Sequence, residues 1–343
     1  MHRSEITIDL DALRRNVRRL LDALEGAELW AVVKADGYGH GALDSARAAL
    51  AEGASALCVA TVPEALELRA RLHEPRILVM GPAAAEEVGA AREARLELTV
   101  AHGPIPDGVP VHLKLDTGMG RWGLSELPQP PANVVGLMSH LATADCDDEF
   151  ARVQVERFRE AVAPYANLTR HVANSAAALR LPESRFDAAR CGIAVYGLSP
   201  FGTHPADDGL APVLSWRSHV AYARLLGPGA STGYGRRFLA ERPTWVGIVP
   251  VGYADGFRRD LTGTEVLVGG ERSRVAGTVS MDAIAVELAG EVPAGTPVTL
   301  VGDGILLEEH ARVAGTITYE LASRLESGPR RAKRTVVGAR GGA

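Results

Sequence analysis

The chain has 343 residues, 46% hydrophobic and 23% charged, with a formal net charge of −5. This is ordinary for a globular protein long enough for one large domain and a smaller one, and the acidic balance argues against a general nucleic-acid binder, which carries a basic surface. The opening "MHRSEITIDLDALRRN" lacks an apolar core of signal-peptide length, and no apolar run of about 18 residues follows, so no membrane span is expected and the cytoplasm is the default.

The first expected element is a helix over Asp11–Leu24, with Leu13, Val17, Leu20, Leu21 and Leu24 on one face. Eight short apolar runs follow: "LWAVVK", "ALCVAT", "RILVMG", "LELTVA", "VHLKLD", "VVGLMSH", "LTRHVAN" and "ARCGIAVYGL". Stretches with helical periodicity, such as "PEALELRARL" and "FARVQVERFREAV", separate several of them. Continuous apolar strands alternating with helices indicate a parallel sheet covered by helices. Eight such strands point to an α/β fold, a (β/α)8 TIM-like barrel over residues 1–211, with a doubly wound open sheet as the competitor. The connections "HGPIPDGVP" and "TGMGRWGLSELPQPPAN" are too rich in Pro and Gly for a regular helix, so the helical ring should be thin after the fourth and fifth strands.

The stretch "PFGTHPADDGLAP" reads as a linker. Beyond it, residues 212–343 alternate strand patterns with Gly turns and form a mainly-β C-terminal domain, to which the first ten or so residues are free to add. Within it, "LVGGERSRV" is a hairpin with Gly-Gly in its turn. The basic, Gly-rich "PRRAKRTVVGARGGA" reads as a solvated end or a last strand. Cys58, Cys146 and Cys191 fit neither a disulfide framework nor zinc spacing, and Cys58 and Cys191 read as buried thiols. The histidines include no His-x-x-x-His pair, and no metal site is expected.

Barrel chemistry sits at the carboxyl ends of the strands, and here those ends are polar. The first run ends on Lys34, with Tyr38 in the following turn. A strand-end lysine usually keeps its head in water. Partly desolvated, it has a lowered pKa and becomes a reactive amine, and the motif alone does not separate the two. The fifth run carries Lys114 and Asp116 and leads into Arg121; the sixth ends on His140, the seventh in Asn174 and Ser175, and the eighth carries Arg190 and Gly192. A lysine, a hydroxyl with backbone amides, and a ring-stacking histidine together suit pyridoxal phosphate. Barrels bind phosphate after strands seven and eight, where Ser175 and the Gly192–Ile193 amides fall.

The segments "AVVKADGYGHGA", "VHLKLDTGMGRWG", "SHLATAD", "RHVANSAA", "RCGIAVYGL", "STGYG", "VPVGYADG", "SMD" and "TITYE" occur in family order from Ile6 to about Glu320, and the chain resembles the alanine racemases, fold-type III pyridoxal-phosphate enzymes that interconvert L- and D-alanine for peptidoglycan. The resemblance implies that Lys34 carries the cofactor and acts as base on the D-alanine face, and that Tyr234 acts on the L-alanine face. It further implies that Arg121 meets the substrate carboxylate and that Lys114 is the lysine often carbamylated beside it. By the same resemblance His140 would stack near the pyridine ring and connect to Arg190, the partner of the ring nitrogen, and Tyr38, Asn174, Ser175, Gly192 and Ile193 would bind the cofactor. It also implies that Met281 and Asp282 are lent to the partner subunit of a homodimer with shared active sites. A guanidinium gives up its proton reluctantly, which keeps the ring a weaker electron sink and disfavours side reactions such as transamination; the fold-type III decarboxylases place a glutamate there, a difference that argues for a racemase. Glu326 and Ser327 stand where many members have a tyrosine at the substrate entrance, a departure that bears on substrate size, and Gly233 stands where a serine is common, which should loosen its loop. A racemase of another small amino acid such as serine, a specialised paralogue, a non-catalytic pyridoxal-phosphate protein and a cofactor-free barrel remain as other readings of the sequence.

Overall fold

A computed structural model describes residues 2–339. The chain divides into a unit of Leu13–Phe201 with Ala206–Ala211, and a second unit of the N-terminal residues through Ala12, Gly202–Pro205 and the chain from Pro212 on. Strand β1 (Glu5–Asp9) belongs to the second unit. It runs directly into the helix Leu10–Leu24 because the Asp9 carboxylate accepts the Asp11 and Ala12 N–H groups at 2.8 and 3.1 Å, capping the first turn.

The first unit is a closed barrel of eight parallel strands: β2 (Glu28–Val32), β3 (Ala56–Val59), β4 (Arg76–Val79), β5 (Glu97–Val100), β6 (Val111–Lys114), β7 (Val134–Met138), β8 (Thr169–His171) and β9 (Ala188–Cys191). Each expected apolar run supplies one strand, and β9 closes on β2 through Glu28↔Ala188 to Ala31↔Cys191. β3, β6 and β9 are buried at every residue, which is why they read as unbroken apolar runs with little alternation.

Helices Ala42–Ala51, Val62–Arg69, Val88–Glu93, Asp148–Val162 and Ser175–Arg180 lie along the chain between strands. None follows β5 or β6, as the Pro- and Gly-rich connections imply. Other hydrogen bonds hold these connections in place. Asn133 donates to the carbonyls of Pro106 and Val109 at 2.8 and 2.9 Å, tying down the first connection, and the second folds back so that Leu124 N–H meets Lys114 O at 2.7 Å. The stretch read as a linker is not free. Ala211 exchanges hydrogen bonds with buried Asn16 at 2.8 Å in each direction, and Asp208 accepts from Arg180 at 2.8 Å.

The second unit adds β10 (Leu214–His219), β11 (Tyr222–Leu226), β12 (Ser231–Thr232), β13 (Phe238–Leu239), β14 (Thr244–Val249), β15 (Glu265–Val268), β16 (Glu271–Ala276), β17 (Ile284–Leu288), β18 (Pro297–Val301) and β19 (Lys333–Val337). Nine strands form one sheet in the order β11-β14-β17-β16-β15-β18-β10-β1-β19, while β12 pairs with β13. The β15–β16 hairpin turns on Gly269 and Gly270 at φ +58° and +93°, the left-handed pair that such a turn requires. The basic tail supplies β19, parallel to β1; Arg340–Ala343 lie outside the described residues. Among the described residues no helix is long and apolar enough to cross a membrane.

Candidate active site

The turn after β2 is the most unusual backbone in the barrel. Ala35, Asp36 and Gly37 adopt left-handed helical angles and Tyr38 follows at φ +54°. Left-handed conformation costs an L-residue with a Cβ roughly 1–2 kcal/mol, so the three non-glycine residues need fixed partners. Ala35 N–H donates to Glu64 at 2.7 Å; the Asp36 carboxylate accepts Ala42 N–H at 2.7 Å, and Tyr196 Oη donates to Val32 O at 2.9 Å beneath the turn. Gly37 is required, since a Cβ there would press on Ala42 and Ser45 at 3.2 Å. The result turns Lys34 inward, partly buried, and seats the Tyr38 ring against Gly192, where a Cβ would lie 2.5 Å from the phenol oxygen.

Burial lowers the pKa of Lys34, and the Arg121 charge lowers it further, against Glu64 and Cys58. Lys114, 4% exposed at the end of β6, is lowered to about 8 by burial and by Arg190 and Arg121. Burial and four cations, Arg190, Lys114, Arg121 and Lys34, hold His140 down to about 3, so its ring is neutral. The barrel thus gathers Lys34, Lys114, Arg121, Arg190 and His140 within electrostatic reach of one another. The anions beside them are few, and Asp116 is spent on its own loop, accepting the Gly118, Met119 and Gly120 N–H groups at 2.9–3.1 Å. Arg121 is exposed, with its guanidinium 5.3 Å from the Trp122 ring, and the Lys114 ammonium lies 5.7 Å from the same ring.

Asn174 caps helix Ser175–Arg180 by accepting Ala177 N–H at 3.0 Å. Buried Ser175 accepts the Gly192 N–H at 3.0 Å, tying the start of that helix to the turn Gly192–Ile193 that opens the short helix Ile193–Tyr196. Arg190 is fixed from below. It donates to Ser139 O at 2.7 Å, to His171 O at 2.8 Å and to His171 Nδ1 at 2.6 Å. The resemblance joins this arginine to His140; its hydrogen bonds run to the carbonyl of Ser139, one residue before His140, and to His171 at the end of β8. Tyr234, Met281 and Asp282 belong to the second unit, where Tyr234 is 72% and Met281 52% exposed. Gly233 has a φ of +77°, which suits glycine, and in the same loop Thr278 donates to Tyr234 O at 3.0 Å.

Sequence reasoning missed the groups that hold the site. His171 Nε2 lies 2.8 Å from His112 Nδ1, and His112 Nε2 lies 2.9 Å from Glu97, which Arg76 grips at 2.8 and 3.2 Å. An ionised carboxylate only accepts, so His112 donates to Glu97, His171 donates to His112, and Arg190 donates to His171. Burial keeps both imidazoles neutral. Gly136 makes room for this chain, since a Cβ there would sit 2.2 Å from His112 Nδ1. Gln154, wholly buried, reaches from helix Asp148–Val162 to His140 O and Thr117 Oγ1 at 3.2 and 3.3 Å. His112 and His171 inside apolar runs were the available signal.

The model for the alanine racemase N-terminal domain matches residues 8–200, and that for the C-terminal domain matches residues 213–335. This chain belongs to the alanine racemase family. It is 40% identical over 351 residues to "Alanine racemase 1" of Bacillus subtilis (strain 168), covering 93% of this chain and 90% of that one. It is 39% identical to the alanine racemase of Lactiplantibacillus plantarum, covering 94% and 95%. Among solved structures, the alanine racemase from Streptomyces coelicolor A3(2) superposes with a TM-score of 0.89 at 38% identity over 98% of each chain. The biosynthetic alanine racemase from Pseudomonas aeruginosa gives 0.90 at 35% identity, covering 98% and 99%.

Glu97 carries a pH prediction. Burial opposes its ionisation, but hydrogen bonds from His112 and Arg76 hold it from 4.5 down to about 2. The folded value is the lower one, so its contribution is complete above pH 4.5 and is lost as pH falls toward 2. The loss amounts to about 3 kcal/mol. Urea unfolding across this range should show the decline, and Glu97→Gln should be less stable at neutral pH and flatter below 4.5.

Proposed function

We propose that this chain is a pyridoxal-phosphate-dependent alanine racemase acting as a homodimer with shared sites. The observation that carries the reading is Lys34, an amine whose pKa is lowered inside a cluster of cations that has few anions of its own. Such a cluster suits a ligand bearing a phosphate and a carboxylate. The missing Cβ of Gly192 admits the Tyr38 ring beside buried Ser175, so the residues present fit a phosphorylated ring. Tyr38, Ser175, Gly192 and Ile193 would hold the phosphate end, with Asn174 fixing the helix start; Arg190 would face the ring nitrogen and His140 the ring.

When bound, pyridoxal phosphate supplies an electron-withdrawing ring that makes the substrate Cα–H acidic. Racemisation removes a proton from one face of Cα and delivers another to the opposite face, so two acid–base groups are needed. Lys34 Nζ serves the D-alanine face and Tyr234 Oη the L-alanine face. Burial lowers Arg190 to about 10, which still leaves it protonated at neutral pH, and its hydrogen bonds to Ser139 and His171 keep its guanidinium in place. Arg121 receives the substrate carboxylate. Neutral Lys114 amine, available because its pKa is about 8, attacks carbon dioxide; an N–C bond forms and a proton is released, leaving a carbamate anion to pair with Arg121. The exposure of Tyr234, Met281 and Asp282 supports their being offered to the partner subunit.

Tyr234→Phe should still exchange the α-hydrogen of D-alanine with deuterated solvent through Lys34, while L-alanine exchanges about 10² to 10⁴ times more slowly than with the unmodified enzyme. Proton NMR reads both, and equal loss from the two enantiomers would remove the two-face assignment. Mixing inactive Lys34→Ala and Tyr234→Phe chains should restore activity, since each mixed dimer holds one intact site; mixed dimers without activity would contradict shared sites. With ¹³C-bicarbonate, a carbamate carbon signal should appear in the unmodified enzyme and be absent from Lys114→Met.

A further inference from the structure

Both ends of the described chain converge on one carboxylate of the second unit. β1 and β19 run parallel from Glu5↔Lys333, and Lys333 N–H donates to Ser4 O at 2.9 Å. An arginine stands just before each strand. Arg3 grips Asp255 through two nitrogens at 2.6 and 3.0 Å, and Arg331 Nε donates to the same carboxylate at 2.9 Å. The Asp255 side chain is wholly buried and also accepts Gly252 N–H at 2.9 Å. Burial opposes its ionisation, but these donors hold its carboxyl below the usual range.

Arg331 has a second arm, which donates to Asp282 at 2.8 Å. Asp282 and Met281 form the tip of a turn closed by Ser280 N–H to Ala283 O at 3.0 Å. From behind, Tyr253 N–H and Ala254 N–H donate to the carbonyls of Ser280 and Met281, each at 3.0 Å. Gly252 permits this approach, since a Cβ there would lie 2.2 Å from Ser280 O. The turn's carbonyls are therefore held inward, while the Met281 and Asp282 side chains are exposed.

We propose that Arg331 is a positioning residue for substrate binding: it bridges buried Asp255 to exposed Asp282 and so fixes the orientation in which the Met281–Asp282 turn meets substrate. Order in the C-terminal tail is thereby coupled to substrate affinity. This rests on the role proposed above for the turn in the partner subunit's site. An exposed ion pair on its own contributes little. Here one guanidinium is already immobilised by a buried carboxylate, so Asp282 meets a fixed donor, and the entropy of ordering that donor is met elsewhere.

The test compares Arg331→Met, Arg331→Lys and Asp282→Asn as cofactor-loaded enzymes. Asp255 keeps Arg3 and Gly252 when Arg331 is replaced, so the fold should persist, with unchanged cofactor absorbance. Arg331→Met should raise KM for alanine about tenfold, the scale of one charge-assisted hydrogen bond, with kcat within about threefold. Arg331→Lys should recover part of the loss. Asp282→Asn should act similarly, and the double variant should be no worse than the more affected single one. Hydrogen exchange of residues 278–284 should quicken in Arg331→Met whether or not alanine is the substrate. Unchanged exchange there would overturn the clamp, and quickened exchange with unchanged KM would overturn its link to substrate. Absence of racemisation by the unmodified enzyme would instead overturn the function proposed above.

Discussion

A group of cations with few counter-anions is unfavourable in a partly desolvated place unless something negative completes it. Lys34, Lys114, Arg121 and Arg190 form such a group, and much of the barrel's local structure follows from holding it together. Their mutual repulsion adds to burial in lowering the lysines. It makes their deprotonation easier and leaves them short of negative partners, which favours a reactive amine and an anionic ligand. Asp116, the nearby carboxylate that could have neutralised them, is engaged by three backbone N–H groups.

The strain of the Lys34–Tyr38 turn belongs to the same economy of constraints. A left-handed turn with three non-glycine residues persists only when its surroundings over-determine it. Glu64 shows how this is done: one oxygen holds Ala35 N–H while the other holds Ala60 and Thr61 N–H at the start of the next helix. The turn after β2 is thus stapled to the turn after β3. Below it, the one-way chain from Arg190 through His171 and His112 to Glu97 transmits a carboxylate's preference across the barrel interior without placing an anion beside Arg190.

The alternation of apolar runs with helical stretches made the barrel legible, because strands buried on both faces leave no polar interruption in the sequence. The two thinned connections were legible for the complementary reason, that proline and glycine cannot sustain a helix. The ordered segments around Lys34, Lys114, Arg121, His140, Ser175 and Arg190 likewise pointed to one mouth. What stayed hidden were long-range pairings. Gln154, Glu97 and Asn133 look like ordinary surface-type residues in a linear reading, and nothing local marks them as partners of His140, His112 and Pro106. The ties that hold the linker were hidden in the same way, since Asn16 lies far upstream of Ala211.

By itself the sequence determined the eight-strand repeat, the change to a mainly-β texture, the turn glycines and the kind of chemistry the strand ends can support, because each depends on spacing and residue type within a short window. Only the tertiary structure decided which nitrogen of His112 donates, why Gly136 and Gly192 lack side chains, how Arg190 is held, and that Arg3 and Arg331 share Asp255. Those are matters of distance between residues remote along the chain, and a hydrogen bond or a steric limit of a few tenths of an ångström exists only once packing has brought the partners together.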